Sequence, residues 1–224
     1  MAVRISFHEE LDATEGRLLT EGAAVGRQLE KVLEALVQRD AELGLAVIEG
    51  DDEVDALYLE VVERIHQLMA LQAPVARDLR LLSALMHSNV HLERMGDLCV
   101  NIAKFVVAQH PYPSQSHIVT RLKEMGDRAA EMLGTAMSAL AQRSLEIVET
   151  LVAKDEAIDR MNRGMLEELK GFAHDEESFA SAISLVLVAR YLERFGDHCV
   201  DIGEQVAFLV TGVFREFTDA SHPA

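Results

Sequence analysis

The sequence predicts an all-α fold of six long helices, arranged as two tandem three-helix bundles related by internal duplication. Three observations carry that prediction. The 224 residues are rich in Ala, Leu, Glu and Val, with only four prolines, thirteen glycines and no tryptophan, a balance that favours helix throughout. Apolar residues recur at alternating steps of three and four, which paints one stripe on a helix. The stretch LERMGDLCVNI, residues 92–102, returns one hundred positions later as LERFGDHCVDI.

Taken in chain order, residues 5–38 form a first amphipathic run, and Asp40 is a natural N-cap for a second over about 41–71. Pro74, in LQAPVARDLR, interrupts the chain and opens a third helix reaching about residue 109. HPYPSQ, residues 110–115, is the strongest break in the sequence. It divides a first bundle, 1–110, from a second, 116–217, followed by a flexible polar tail, 218–224. In the second bundle one helix covers 116–142, Ser144 caps the next as Asp40 does, Gly171 ends it, and a last helix runs over about 177–216.

The duplication extends to pairs of acids. Asp51 and Asp55 correspond to Asp155 and Asp159, 104 positions on, while Glu93 and Asp97 correspond to Glu193 and Asp197, 100 positions on. The second copy is therefore four residues, about one helical turn, shorter between its second and third helices.

The third helix of each half carries a buried seam. It reads Leu85, Ser88, Leu92, Met95, Cys99, Ile102, Val106 in the first copy and Leu185, Val188, Leu192, Phe195, Cys199, Ile202, Val206 in the second. Both cysteines fall in it, so they are expected in the core as small hydrophobes rather than as redox or metal groups. On another line of the same helix Glu93, Asp97 and Asn101 step by four, as do Glu193, Asp197 and Asp201. The second helices add Asp51 with Asp55 and Asp155 with Asp159.

Like charges at this spacing cost a helix roughly 0.2–0.5 kcal/mol per pair. A solvated acidic face is the ordinary explanation. Retention of the acids at matching positions in both copies, where most surface residues differ, favours a cation that offsets the repulsion. All-oxygen ligands suit hard divalent or trivalent ions such as Fe, Mn or Mg better than zinc or copper(I). Gly96 and Gly196 lie inside these helices, where glycine costs about 1 kcal/mol relative to alanine, so they mark a close helix approach or room beside the acids.

Other classes of function are disfavoured. With 38 acids against 21 Lys and Arg the net charge is −17, which repels phosphate backbones and argues against direct nucleic-acid binding. Two cysteines make no disulfide framework. No apolar leader opens MAVRISFHEELDATEG, and the longest apolar run, AISLVLVA at 182–189, is far short of a membrane span. The expected location is cytoplasmic, with membrane association only through partners.

ERIH, residues 63–66, is half of a di-iron signature, but no second E-x-x-H completes it and Lys170 stands at the position matching His66. His66 is expected on the surface, and His198 is read as an ordinary surface histidine because its counterpart is Leu98. No nucleophile, base and orienting acid assemble, so the chain is not expected to be an enzyme. A metal-free helical scaffold is the alternative reading, with a carboxylate-bridged di-metal enzyme a more distant one.

The combination of FHEEL, GDDEVDAL, LQAPVARDLR, HLERMGDLCVNIAKFV, KDEAIDRM and YLERFGDHCVDIGEQVAFLVTG resembles the PhoU family of phosphate-uptake regulators over nearly the whole chain. That resemblance implies a cytoplasmic adaptor that acts as a negative regulator of phosphate uptake and of phosphate-starvation signalling. Its implied partners are the ATPase of the phosphate ABC transporter and a sensor histidine kinase, and a homodimer is the expected assembly. It also implies metal binding through E/D-x-x-x-D motifs. Carried over by position, the candidate ligands are Asp51, Asp55, Glu93, Asp97 and Asn101 in the first half and Asp155, Asp159, Glu193, Asp197 and Asp201 in the second. Asp201 departs from the family pattern, which has asparagine there, and PVARDLR has no echo near 175–181.

Overall fold

In the computed structural model residues 2–109, 117–169 and 176–217 are described. The expected linker HPYPSQ, the helix end at Gly171 and the tail 218–224 lie outside them. The described chain forms α1 (Ala2–Gln38), α2 (Ala41–Glu49), α3 (Asp51–Gln72), α4 (Arg77–Val107), α5 (His117–Gln142), α6 (Leu145–Leu169) and α7 (Glu176–Thr211). There is no strand among the described residues. The all-α duplicated architecture is as the sequence predicts. The difference is that the second helix of the first half is two helices, α2 and α3.

That interruption falls at Gly50. Its N–H donates to the Ala46 carbonyl at 3.1 Å and closes α2, while its own carbonyl accepts from the Glu53 N–H at 3.2 Å and opens α3. Asp51, Asp52 and Glu53 then occupy the first turn of α3, where the positive end of the helix dipole favours carboxylates. The corresponding KDEAID lies inside the unbroken α6.

Both sequence-predicted caps form. Asp40 Oδ1 accepts from the Leu43 N–H at 2.9 Å, and Ser144 Oγ from the Ile147 N–H at 3.3 Å. The turn before each cap is the same. Arg39 (φ 58°) and Arg143 (φ 55°) take the left-handed conformation. The next N–H reaches back to Ala35 in one turn, at 3.0 Å, and to Ala139 in the other, at 3.2 Å. This is the αL termination usually supplied by glycine.

The last helix ends earlier than expected. Gly212 at φ +74° terminates α7 with its N–H on the Phe208 carbonyl at 2.8 Å. The chain then folds back until the Phe217 N–H donates to Glu204 Oε1 at 2.6 Å.

The helices α1, α3 and α4, with the short α2 against α4, pack as one bundle, and α5, α6 and α7 pack as the other. Between them α4 runs along α7 and α1 along α5, so one apolar core spans both halves. All fourteen seam residues of α4 and α7 are buried, with Cys99 and Cys199 fully so. Burial raises both thiols above their usual range, which keeps them protonated and inert. Each buried Leu, Ile, Met or Phe of this seam contributes on the order of 1.5–3 kcal/mol.

The α1–α5 contact shows how the halves are related. A Cβ on Gly22 would sit 2.8 Å from Met137 Cε, and one on Gly126 would sit 2.9 Å from Leu33 Cγ. Gly22 matches Gly126, and Leu33 matches Met137, each 104 positions apart. The same contact therefore occurs twice with the roles exchanged, the mark of an internal two-fold. Small residues at this crossing let the two helices approach.

Candidate functional site

In the second half, α6 supplies Asp155 and Asp159 one turn apart, and α7 supplies Asp197. These three carboxylates each place an oxygen within 4.8 Å of the others. Asp155 and Asp159 are 7% and 4% exposed, so the pair predicted to lie on an acidic face is turned inward against α7. Gly196 makes this possible, because a Cβ there would lie 3.0 Å from Asp155 Oδ1. The close-approach explanation of the glycine therefore holds, and what approaches is a carboxylate.

Flanking groups continue the line in both directions. Glu193, 6% exposed, is bonded by the Arg190 guanidinium, and Asp159 Oδ2 lies 3.4 Å from Arg163 Nη1. Asp201 places its Oδ2 3.2 Å from both His198 Nδ1 and His91 Nδ1. The acids open onto a cavity of about 440 Å³ whose walls include Glu149, Asp155, Asp159, Asp197, Asp201 and Glu204. Glu204 is pushed above its ordinary pKa, mainly by burial, against the opposing pull of the Phe217 N–H.

In the first half the equivalent acids are near enough to act on one another's charge, although among the described residues they do not gather as tightly as Asp155, Asp159 and Asp197 do. Asp51 is raised above the usual carboxylate range first by burial, and further by the charges of Asp55 and Asp97, while a hydrogen bond from Gln28 opposes the shift. Glu93 is raised by burial and then by Asp97, with Arg94 opposing and Asp55 and Asp51 adding to the rise. These couplings place four of the five predicted acidic-line residues in one field. Asn101 lies one turn beyond Asp97 on α4 and is half-buried. A Cβ on Gly96 would meet Asp51 Oδ1 at 3.2 Å and Gln28 Oε1 at 3.3 Å, repeating the role of Gly196.

Two residues of α1 belong to this first cluster and escape the sequence reading. Gln28 Nε2 donates to Asp51 Oδ1 at 2.9 Å. Glu21, fully buried, is pushed up to about 9 by burial and by the charge of Glu93. They lie seven residues apart on one face of α1. Positions 104 further on hold Met125 and Met132, so the first cluster has a polar third wall where the second has an apolar one. A buried acid among leucines was the available signal.

Carboxylates gathered this closely repel, and burial removes the water that would screen them. A hard cation could supply compensation. Asp155, Asp159 and Asp197 bring three carboxylate oxygens within reach of a single point, and all-oxygen donors of this kind suit a hard cation. His66 is exposed and takes no part.

The fold and the paired carboxylate clusters together define a duplicated helical-bundle protein with one acid cluster between the second and third helix of each half. The sequence profile of the PhoU domain matches twice, at residues 18–106 and 122–206, so each match contains one cluster. The chain belongs to the PhoU family. It is 30% identical over 213 residues to the phosphate-specific transport system accessory protein PhoU homolog 2 of Mycobacterium tuberculosis, covering 95% of this chain and all of that one. It is 29% identical over 217 residues to the PhoU homolog of Pseudomonas putida, covering 96% of this chain and 83% of the relative. The crystal structure of the phosphate transport system regulatory protein PhoU from Streptococcus pneumoniae superposes with a TM-score of 0.86 at 29% identity, over 94% of this chain and all of the other.

Proposed function

We propose that this chain is an accessory protein of phosphate transport that restrains phosphate uptake and starvation signalling when phosphate is plentiful. In this reading it is a cytoplasmic adaptor between the transporter ATPase and a sensor histidine kinase, works as a homodimer, and is not an enzyme. Two supports stand behind it. Relatives matched over nearly their full length are named as accessory or regulatory proteins of that system. None of the helices among the described residues is long and apolar enough to cross a membrane, so contact with a transporter would be made from its surface.

The single observation that carries the role of the acids is the grouping of Asp155, Asp159 and Asp197 between α6 and α7, with Asp155 and Asp159 buried. Asp155, Asp159 and Asp197 would hold a hard cation in the second half, with Glu193 and Asp201 flanking. Asp51, Asp55, Glu93 and Asp97 would do so in the first, with Asn101 beyond. A bound ion supplies positive charge that cancels carboxylate repulsion and offers open positions to an anionic group of a partner. The protein's own part is to hold the acids out of bulk water, with Gly96 and Gly196 admitting Asp51 and Asp155 against the helix backbone.

A second reading is favoured by the arginines. Arg190 on Glu193 and Arg163 beside Asp159 already neutralise part of the line, as a metal-free scaffold would require. That reading predicts unchanged stability on chelation.

The regulatory role is tested by a phosphate-starvation reporter in phosphate-rich cells with and without the gene. Derepression on deletion, reversed by the intact chain, is the expected result. Unchanged output, with other PhoU-family genes also deleted, would refute it.

A further inference from the structure

Where the two halves meet, Asp201, the last residue of the second acid line, joins two histidines in a different donor set. His91 comes from α4 of the first half, and His198 and Asp201 lie one turn apart on α7 of the second. His91 Nδ1 and His198 Nδ1 are 3.2 Å apart, His91 Nδ1 and Asp201 Oδ2 are 3.2 Å apart, and His198 Nδ1 and Asp201 Oδ2 are 3.2 Å apart. The three atoms form an equilateral triangle. The rings are inclined at 47° with centroids 5.3 Å apart, so both nitrogens face a common point rather than stacking.

Protons alone leave this arrangement incomplete. A neutral imidazole carries one N–H. If both Nδ1 atoms are protonated, each can donate to Asp201, but the two N–H groups then confront one another. If one is protonated, the other Nδ1 presents a lone pair to a carboxylate oxygen. At most two of the three edges are hydrogen bonds under either assignment. A cation accepts from all three atoms at once.

The dimensions agree. The centre of a triangle of this size is about 1.8 Å from each corner, so an ion with bonds of about 2.05 Å sits about 0.9 Å out of the plane. The edge of a tetrahedral site with such bonds is about 3.3 Å, against the 3.2 Å found on every side. The fourth position would point away from the plane and be left to a ligand from outside the triad, and the three side chains are 22%, 16% and 39% exposed. His198 faces the other two groups with Nδ1, and its Nε2, which carries the ring proton when Nδ1 binds an ion, is buried without a hydrogen-bond partner among the described residues.

We infer that His91, His198 and Asp201 form a binding site for one divalent ion of the borderline class, zinc foremost, that ties α4 to α7. Two imidazoles and one carboxylate favour borderline ions such as zinc or cobalt(II) over magnesium and other ions that prefer all-oxygen donors. The site occurs once. Tyr191, Leu98 and Asn101 stand at the matching positions of the other copies, so the internal duplication does not repeat it. It goes beyond the functional reading above and does not depend on it.

The test titrates the metal-free full-length chain with Co²⁺ alone, followed by visible absorption, and then with Zn²⁺ in competition. The expected result is one Co²⁺ with the strong visible bands of a tetrahedral site, displaced by one equivalent of Zn²⁺. His198→Gln and His91→Gln, each checked for intact helicity by circular dichroism, are expected to lose the bands and weaken Zn²⁺ binding by at least about tenfold. Asp155→Asn with Asp159→Asn is expected to leave the bands unchanged. Bands that survive both histidine substitutions, bands that vanish only with the aspartate pair, or no tetrahedral spectrum in the folded wild-type chain would each overturn the proposal.

Discussion

Glu21→Gln is the substitution whose consequence follows most directly from the structure. The Glu21 carboxyl is fully buried, both of its oxygens lack a hydrogen-bond partner among the described residues, and its pKa is raised from 4.5 to about 9 by burial and by Glu93. A raised acid holds its proton in the folded state and releases it on unfolding. Between about pH 4.5 and pH 9 the unfolded chain therefore binds fewer protons, and stability falls as pH rises, by about 1.4 kcal/mol per unit. Below that window the group contributes no slope.

From pH 5.5 to pH 8 the loss attributable to Glu21 is about 3 kcal/mol. Glutamine keeps the shape and hydrogen-bonding size of the protonated acid but cannot ionise. Reversible urea unfolding followed by helical ellipticity, at both pH values and with chelator present, measures the difference. The wild type is expected to lose about 3 kcal/mol more than the variant between the two pH values. Equal pH dependence in the two proteins would refute the assignment of a buried neutral Glu21.

Other consequences follow from the acid lines and the helix crossings. Replacing Asp155, Asp159 and Asp197 together by asparagine removes mutual repulsion, so the chelated variant is expected to melt above the chelated wild type. Mn²⁺ at one hundred times its Kd should then stabilise the wild type by about 2.7 kcal/mol and the variant by far less, as read in a thermal melt. Gly126→Ala drives a Cβ into Leu33 and is expected to cost about 1–3 kcal/mol in urea unfolding. Gly134→Ala meets nothing within 4 Å and is expected to gain up to about 1 kcal/mol from helix propensity.

Much of this architecture is legible because it rests on local chemistry. The Asp40 and Ser144 caps are set by a side chain and an N–H three residues on, and the α4 and α7 seams by periodicity. The α2–α3 break at Gly50 departs from the single helix expected over about 41–71, because amphipathicity continues across it and outweighs the signal of a glycine followed by three acids. The end of α7 at Gly212 is hidden because VAFLVTGVF stays apolar beyond it, and Val213 and Phe214 are exposed.

For the site, spacing four apart identifies which acids share a helix line, but not that Asp155, Asp159 and Glu193 are buried while Asp51 and Glu93 are half-buried and Asp55 is exposed. That difference comes from neighbouring helices, whose identity periodicity does not reveal. Glu21 and Gln28 reach Glu93 and Asp51 from a helix far away in sequence. His198, expected as an ordinary surface residue, meets His91 only because α4 and α7 pack against each other across the duplication. Such contacts depend on the relation between halves, and neither copy contains that information alone.

We propose that the two acid lines are the part of the chain through which it would restrain the phosphate-starvation response. The most direct measurement is reporter output in phosphate-rich cells lacking the chromosomal copy and supplied with one of two chains at equal abundance. One is the wild type, and the other carries Glu93→Ala, Asp97→Ala, Glu193→Ala and Asp197→Ala. The account predicts repression by the wild type, derepressed output with the fourfold variant, and less Fe or Mn in the purified variant. Full repression by a folded variant with unchanged metal content would contradict it.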